Sequence, residues 1–205
     1  IFSIFTYFNC KRMIIVAFRN FICLIGLLLA SPLICIAAFC VCLEDGFPVI
    51  FKQQRIGKKE KPFTLYKIRT MQKNTPEVGT HLAEQEFKLR TGAFLRKSKL
   101  DEFPQLINVI KGDINLVGPR PCLVERQTEL RNARSEKNIF DVKPGITGLA
   151  QVLNYDMSNP VKLAEIDSIY MKNQSLKMNV IILMATFFNY PRRYLRTKFI
   201  KQDRA

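Results

Sequence analysis

The sequence predicts an α+β, mainly helical protein with a membrane element at its N-terminal end, a small β-hairpin and interfacial helices. Three observations carry that expectation. Residues 21–43 contain no charge, a length that can cross a bilayer core of about 30 Å as a helix. Two short apolar runs rich in strand formers, 49–51 and 63–70, flank a glycine-containing polar turn. Beyond them the pattern is helical, closing on apolar and then aromatic-basic segments.

The chain has 205 residues, enough for one domain with a real core. Lys and Arg number 32 against 17 Asp and Glu, a net charge of +15 that points to an anionic partner. Nucleic acid, an acidic lipid surface and phosphorylated substrates all qualify. The lipid-length segment and the lack of a base-stacking pattern argue against nucleic acid. With one histidine, His81, there is little material for a histidine metal site or a Ser-His-Asp triad. Of the six cysteines, Cys23, Cys35, Cys40 and Cys42 lie in the apolar segment, so the set reads as reduced small apolar residues.

In chain order, residues 1–12 are apolar and aromatic and precede Met13, and they read as an extension without functional weight. Residues 13–45 form the membrane element. Ser31-Pro32 divides it, because proline lacks an amide and clashes with the turn before it. The carbonyl so freed needs a partner, and the Ser31 hydroxyl is close by. A kinked spanning helix and a helix-break-helix that leaves by the face it entered are both open. Lys11, Arg12 and Arg19 before the segment and a basic body after it put both flanks on the cytoplasmic side, which only the re-entrant form satisfies. Residues 46–205 then make one domain, beginning with the hairpin, whose turn centres on 57–59 and whose strands carry Arg55, Lys67 and Arg69. Residues 72–88 are polar and without period, as in a loop over a site.

The stretch 96–121 concentrates chemistry. Asp101 and Glu102 sit between a basic cluster, Arg96, Lys97 and Lys99, and a second anchor, Arg120, between two prolines. A carboxylate can attack phosphorus or hold a divalent metal while cations neutralise phosphate oxygens. An ordinary amphipathic helix beginning Asp-Glu is the alternative. Phe103, Leu106, Ile107 and Ile110 make its apolar stripe, with Asp101 as N-cap, Pro104 in the first turn and Gly112 as stop. Residues 118–121 form a stiff turn that presents the Arg120 guanidinium. A charged helix over about 123–137 leads to a second glycine turn at 144–151, which matches neither a Walker loop nor a dinucleotide fingerprint. Asn159-Pro160 reads as N-cap and N1 of a helix reaching about Tyr170. Residues 178–188 are apolar but too short to span, and Tyr190, Arg192, Arg193, Tyr194, Arg196 and Lys198 border them as in an interfacial element.

Taken together, Lys99-Leu100-Asp101-Glu102-Phe103-Pro104-Gln105-Leu106, Lys111-Gly112-Asp113, Val117-Gly118-Pro119-Arg120-Pro121 and Pro144-Gly145-Ile146-Thr147-Gly148, in this order behind an apolar segment with Ser-Pro, resemble the bacterial sugar transferases known as monotopic phosphoglycosyl transferases. The match covers about residues 13–188. The resemblance implies a re-entrant helix broken at Ser31-Pro32 and interfacial helices on the cytoplasmic face of the bacterial inner membrane. It implies transfer of a sugar 1-phosphate from a UDP-sugar to polyprenyl phosphate with Mg²⁺ and release of UMP, the first membrane step of a surface glycan pathway. By motif, Asp101 resembles the nucleophile that forms a phosphosugar intermediate, and Glu102 its partner on the nucleophile or the metal. Arg120, and in a similar way Arg96, resemble phosphate or nucleotide anchors, and Lys67, Arg69 and Arg55 are further candidates for phosphate contact. Leu149 stands where the family often has tryptophan, and Asn179 where aspartate is common. The competing function is a non-catalytic basic membrane scaffold of a glycan assembly complex, which would need neither Asp101 nor Glu102.

Overall fold

In a computed structural model of the chain, residues 2–73, 75, 87–125 and 127–200 are described, with side chains from residue 13 onward. Most of the expected loop over 72–88, including His81, lies outside them. The chain divides into two compact units, Ile1–Gln53 with Leu65–Lys111, and Gln54–Thr64 with Gly112–Ala205. Residues 46–205, expected as one domain, are shared between them, and the segment bearing Asp101 is grouped with the N-terminal helix.

The first unit is built on α1 (Phe2–Asp45), which also takes in the backbone of residues 2–12. It is the one helix among the described residues long and apolar enough to cross a membrane, and only 17% of its most apolar window is buried. A core helix of a soluble protein would be mostly covered. Here Leu28 is 71% exposed and Leu29 74%, as suits a helix whose solvent is lipid.

Pro32 lies inside α1, and the helix is not interrupted there. Proline cannot donate to the Leu28 carbonyl four residues back. The Ser31 hydroxyl donates to that same carbonyl at 2.7 Å. The expected break at Ser31-Pro32 is thus a proline accommodated within a continuous helix, because one side-chain donor replaces the missing amide.

At its C-terminus α1 carries Glu44 and Asp45, the wrong sign for the helix dipole. Both are used by neighbours. Glu44 accepts from the amides of Arg90 and Thr91 at 2.6 and 3.0 Å and from the Thr91 hydroxyl at 2.6 Å, capping α2 (Arg90–Ser98). Asp45 accepts from Arg69 Nη1 at 2.6 Å and from the Lys73 amide at 3.0 Å. The core of this unit joins Ala37 and Val41 of α1 to Ile68, Leu89 and Leu95.

The expected hairpin is present as β1 (Ile50–Ile56) and β2 (Pro62–Ile68), with a 3-10 turn over Lys58–Glu60. After α2, Lys99 adopts the left-handed conformation (φ 62°) and a 3-10 turn over Leu100–Glu102 leads into α3 (Gln105–Lys111).

The second unit has β3 (Asn115–Val117) paired in parallel with β4 (Gly145–Thr147), in register Asn115 with Gly145 and Val117 with Thr147. This pairing explains the two glycine motifs. A Cβ on Gly145 would run into the Gly118 amide, and one on Gly118 would lie 2.5 Å from the Lys143 carbonyl oxygen. The backbones of the two turns touch, so neither position admits a side chain.

Around them lie α4 (Thr128–Glu136), the short α5 (Leu149–Val152), α6 (Pro160–Lys172), α7 (Leu176–Phe187) and α8 (Asn189–Phe199). Asn159 Oδ1 caps α6 by accepting from the Lys162 amide at 3.0 Å, with Pro160 in the first turn as expected. Their shared core includes Leu130, Leu149, Ile166, Ile182 and Leu195. Leu149 is fully buried there, so the departure from tryptophan falls on packing. Asn179 Oδ1 lies 2.9 Å from the Tyr170 hydroxyl, a local contact.

Candidate active site

Asp101 was expected as a helix N-cap; it occupies the 3-10 turn before α3 instead, and its Oδ1 makes no capping bond. The cause is Pro104. An Asp101 cap would accept from the amide at 103 or 104; Pro104 has none, and the Phe103 amide instead bonds three residues back to Leu100 at 3.3 Å, as the Leu106 amide does to Phe103 at 3.0 Å. The carboxylate is thereby released from capping. It is 6% exposed, and its Oδ1 has no hydrogen-bond partner. A buried, unpartnered carboxylate oxygen is costly, and such atoms concentrate where a ligand or a reaction completes the set.

Burial pushes the Asp101 carboxyl up from its ordinary range, and the neighbouring Glu102 carboxylate adds to this. Lys67, Arg96 and Lys99 pull it back down. The first unit therefore gathers Asp101, Glu102, Arg96 and Lys67, all expected site residues, with Lys99 in addition. Arg96 is oriented by its Nε, which donates to the Thr70 hydroxyl at 2.9 Å. The Lys67 ammonium sits 5.2 Å from the centroid of the Phe51 ring.

Arg69 has other work. It is 5% exposed, bonded to the Asp45 carboxylate and to the carbonyls of Asp45 and Gly46. Its guanidinium closes the C-terminus of α1, where carbonyls lack helical donors.

In the second unit, Arg120 is half-buried in the expected stiff turn. Arg55 is buried and its Nη1 donates to the Pro121 carbonyl at 2.9 Å, which gives it a backbone-holding role. Burial, and then the charge of Arg120 close by, lower its pKa to about 10. Two guanidinium groups this near favour an anion beside them.

Sequence reasoning missed the next layer. Arg134, on α4, is 2% exposed and donates through Nε and Nη2 to Asp167 Oδ2 at 2.9 and 2.6 Å. Its Nη1 donates to the Arg120 carbonyl at 2.7 Å and lies 2.9 Å from Cys122 Sγ. Burial pushes the Asp167 carboxyl up, opposed by Arg134. One signal was readable: Asp167 falls among Leu163, Ile166 and Tyr170, the apolar face of α6.

No group of three or more His, Cys, Asp or Glu able to hold a metal occurs among the described residues. Two hard carboxylates, one of them with an open buried oxygen, nonetheless fit Mg²⁺, which takes one or two protein carboxylates and completes its shell with water and phosphate.

The family described as bacterial sugar transferase matches residues 10–193. The uncharacterized sugar transferase EpsL of Bacillus subtilis (strain 168) is 42% identical over 144 residues, 70% of each chain. The undecaprenyl-phosphate galactose phosphotransferase of Salmonella typhimurium (strain LT2) is 38% identical over 178 residues, 78% of this chain and 37% of that protein. The UDP-glucose:undecaprenyl-phosphate glucose-1-phosphate transferase of Escherichia coli (strain K12) is 35% identical over 170 residues, 79% of this chain and 37% of that protein. The chain thus spans little more than a third of the length of the last two. With a family match over residues 10–193 and a relative 42% identical over 70% of each chain, the chain belongs to the bacterial sugar transferase family.

Proposed function

We propose that the chain transfers a sugar 1-phosphate from a UDP-sugar to a polyprenyl phosphate at the cytoplasmic face of the bacterial inner membrane, as the first membrane step of a surface glycan pathway. The observation that carries this reading is the buried Asp101 carboxylate, with an unpartnered oxygen, among Lys67, Arg96 and Lys99. In the first step an Asp101 oxygen bonds to the phosphorus that bears the sugar, and the bond from that phosphorus to the UMP oxygen breaks. In the second, a phosphate oxygen of the lipid attacks the same phosphorus and frees the Asp101 carboxylate. Dividing the transfer avoids bringing both anionic substrates together at once.

Lys67, Arg96 and Lys99 offset charge that develops on the phosphoryl oxygens, and Glu102 keeps the nucleophile oriented. In the second unit, Arg120 serves as a phosphate anchor through its planar fork. Glu102 and Asp101 would hold Mg²⁺, which when bound supplies charge neutralisation on the diphosphate. The names of relatives with galactose and glucose donors support a UDP-sugar and undecaprenyl phosphate as the substrate classes.

The test is release of UMP from a panel of UDP-sugars by protein in nanodiscs supplied with undecaprenyl phosphate. Release with at least one donor, dependent on the lipid for multiple turnovers, is the expected result. No release with any donor would favour the scaffold.

For topology, the basic residues before and after the apolar stretch 21–43 support a re-entrant path with both flanks cytoplasmic, which requires α1 to bend back on itself at Ser31-Pro32 within the bilayer. With the six native cysteines replaced, single cysteine tags at Met13 and Lys58 are expected to react only with reagent on the cytoplasmic side. Labelling from opposite sides would establish a single span.

A further inference from the structure

Arg134 and Asp167 lie in the second unit, neither is given a step in the reaction, and their burial is expensive. A fully buried ion pair costs desolvation that its attraction only partly returns, and apolar residues of similar volume often serve stability as well or better. Stability alone is therefore a weak reason for this pair. What an apolar pair could not supply is the third bond. With Nε and Nη2 on Asp167, the rigid guanidinium fork leaves Nη1 aimed at the Arg120 carbonyl, 2.7 Å away.

The next carbonyl along the chain is held in the same manner, since Arg55 Nη1 donates to Pro121 at 2.9 Å. Prolines on both sides of Arg120 supply no amides of their own, so this turn cannot be tied down by its flanking donors. The glycine contacts seat the start of the turn against β4. The two buried arginines seat its end.

We infer that the buried Arg134–Asp167 pair is a positioning device for Arg120: Asp167 fixes the Arg134 fork, and Arg134 fixes the backbone from which the Arg120 side chain leaves. The inference rests on reading Arg120 as a phosphate anchor. A guanidinium that must meet phosphate oxygens in a set geometry loses affinity steeply when its backbone shifts.

The experiment measures UDP binding by calorimetry, in buffer with magnesium chloride, to the full chain in nanodiscs, alongside thermal melts. Arg120→Ala is expected to weaken UDP binding by about 10- to 100-fold. Wild-type affinity in that variant, or no binding by the wild type, overturns the anchor reading and the inference with it. The informative variant is the double replacement Arg134→Met with Asp167→Leu, which removes both charges and refills the space. Here the expected result is a melting temperature close to wild type with UDP binding still weakened by about tenfold or more. Recovery of both stability and affinity would show the pair to be structural only and would overturn the inference.

Should the double variant fail to fold, Arg134→Lys decides. A lysine keeps a charge beside Asp167 but has no fork to reach the Arg120 carbonyl at the same time. It is compared with Ile182→Ala, a core truncation in α7. Weaker UDP binding in Arg134→Lys and unchanged binding in Ile182→Ala supports positioning. Equal weakening in both means general loosening of the unit and overturns it.

Discussion

Asp101→Asn is expected to lower sugar-phosphate transfer by on the order of 10⁴-fold and at the same time to raise the melting temperature at neutral pH. The loss follows from chemistry, since an amide oxygen of the same shape cannot form the bond to phosphorus. The gain follows from burial. Asp101 is 6% exposed with one oxygen unpartnered, and burial pushes its folded-state carboxyl upward.

A raised folded value means that ionisation favours the unfolded chain. The stability contribution of this group is fully present below the unfolded carboxyl value of about 3.9. It is lost as pH rises through the higher folded value. Asn has no such loss, so the variant should gain on the wild type as pH rises from about 4 to 7. Each kcal/mol recovered is worth about 2–4 °C in a chain of this size. Thermal melts in metal-free buffer across that range check the sign. An Asp101→Asn protein that keeps its turnover, or that melts below the wild type at neutral pH, would contradict the role given to this carboxylate.

Asp167→Ala is expected to be the most destabilising single side-chain removal in the second unit. It leaves the Arg134 guanidinium, 2% exposed, without its counter-charge. Breaking one half of a buried pair costs about 3–5 kcal/mol, a fall in melting temperature on the order of 10 °C. The chain contains no tryptophan, so far-UV circular dichroism or calorimetry is the suitable readout. A fall of only a degree or two would mean that water reaches Arg134 and that the pair is less sealed than its burial indicates.

These two residues also mark what could be read from sequence. Asp101 was legible as chemistry because carboxylates among cations carry their meaning in composition alone. Its local structure was not, because the N-cap expectation took the apolar stripe from Phe103 onward as a helix and gave too little weight to the missing amide of Pro104. Ser31 was legible down to its bond, since the carbonyl orphaned by Pro32 has a fixed address four residues back. Asn159-Pro160 was legible for a similar reason, as capping is settled within a few residues.

Long-range pairing was hidden. The parallel strands β3 and β4 are three residues each and lie far apart in sequence, too short for any period to show. Their glycines spoke only as motifs until the backbone contact between Gly118 and Gly145 gave them a cause. Charge, too, was ambiguous without burial. Arg69, Arg55 and Lys67 look alike on the hairpin, yet Arg69 closes a helix end, Arg55 holds a carbonyl and Lys67 faces the site carboxylate.

The central claim is that Asp101 becomes covalently bonded to the sugar phosphate. Intact mass spectrometry tests it most directly, on protein incubated with a panel of UDP-sugars and magnesium chloride but without lipid acceptor. The account predicts a gain equal to one sugar phosphate with at least one donor, lost on adding undecaprenyl phosphate and absent from Asp101→Asn. A protein that turns over with lipid present yet never carries that mass, even when the reaction is quenched within its first turnover, would contradict it and point to direct transfer between the two bound substrates.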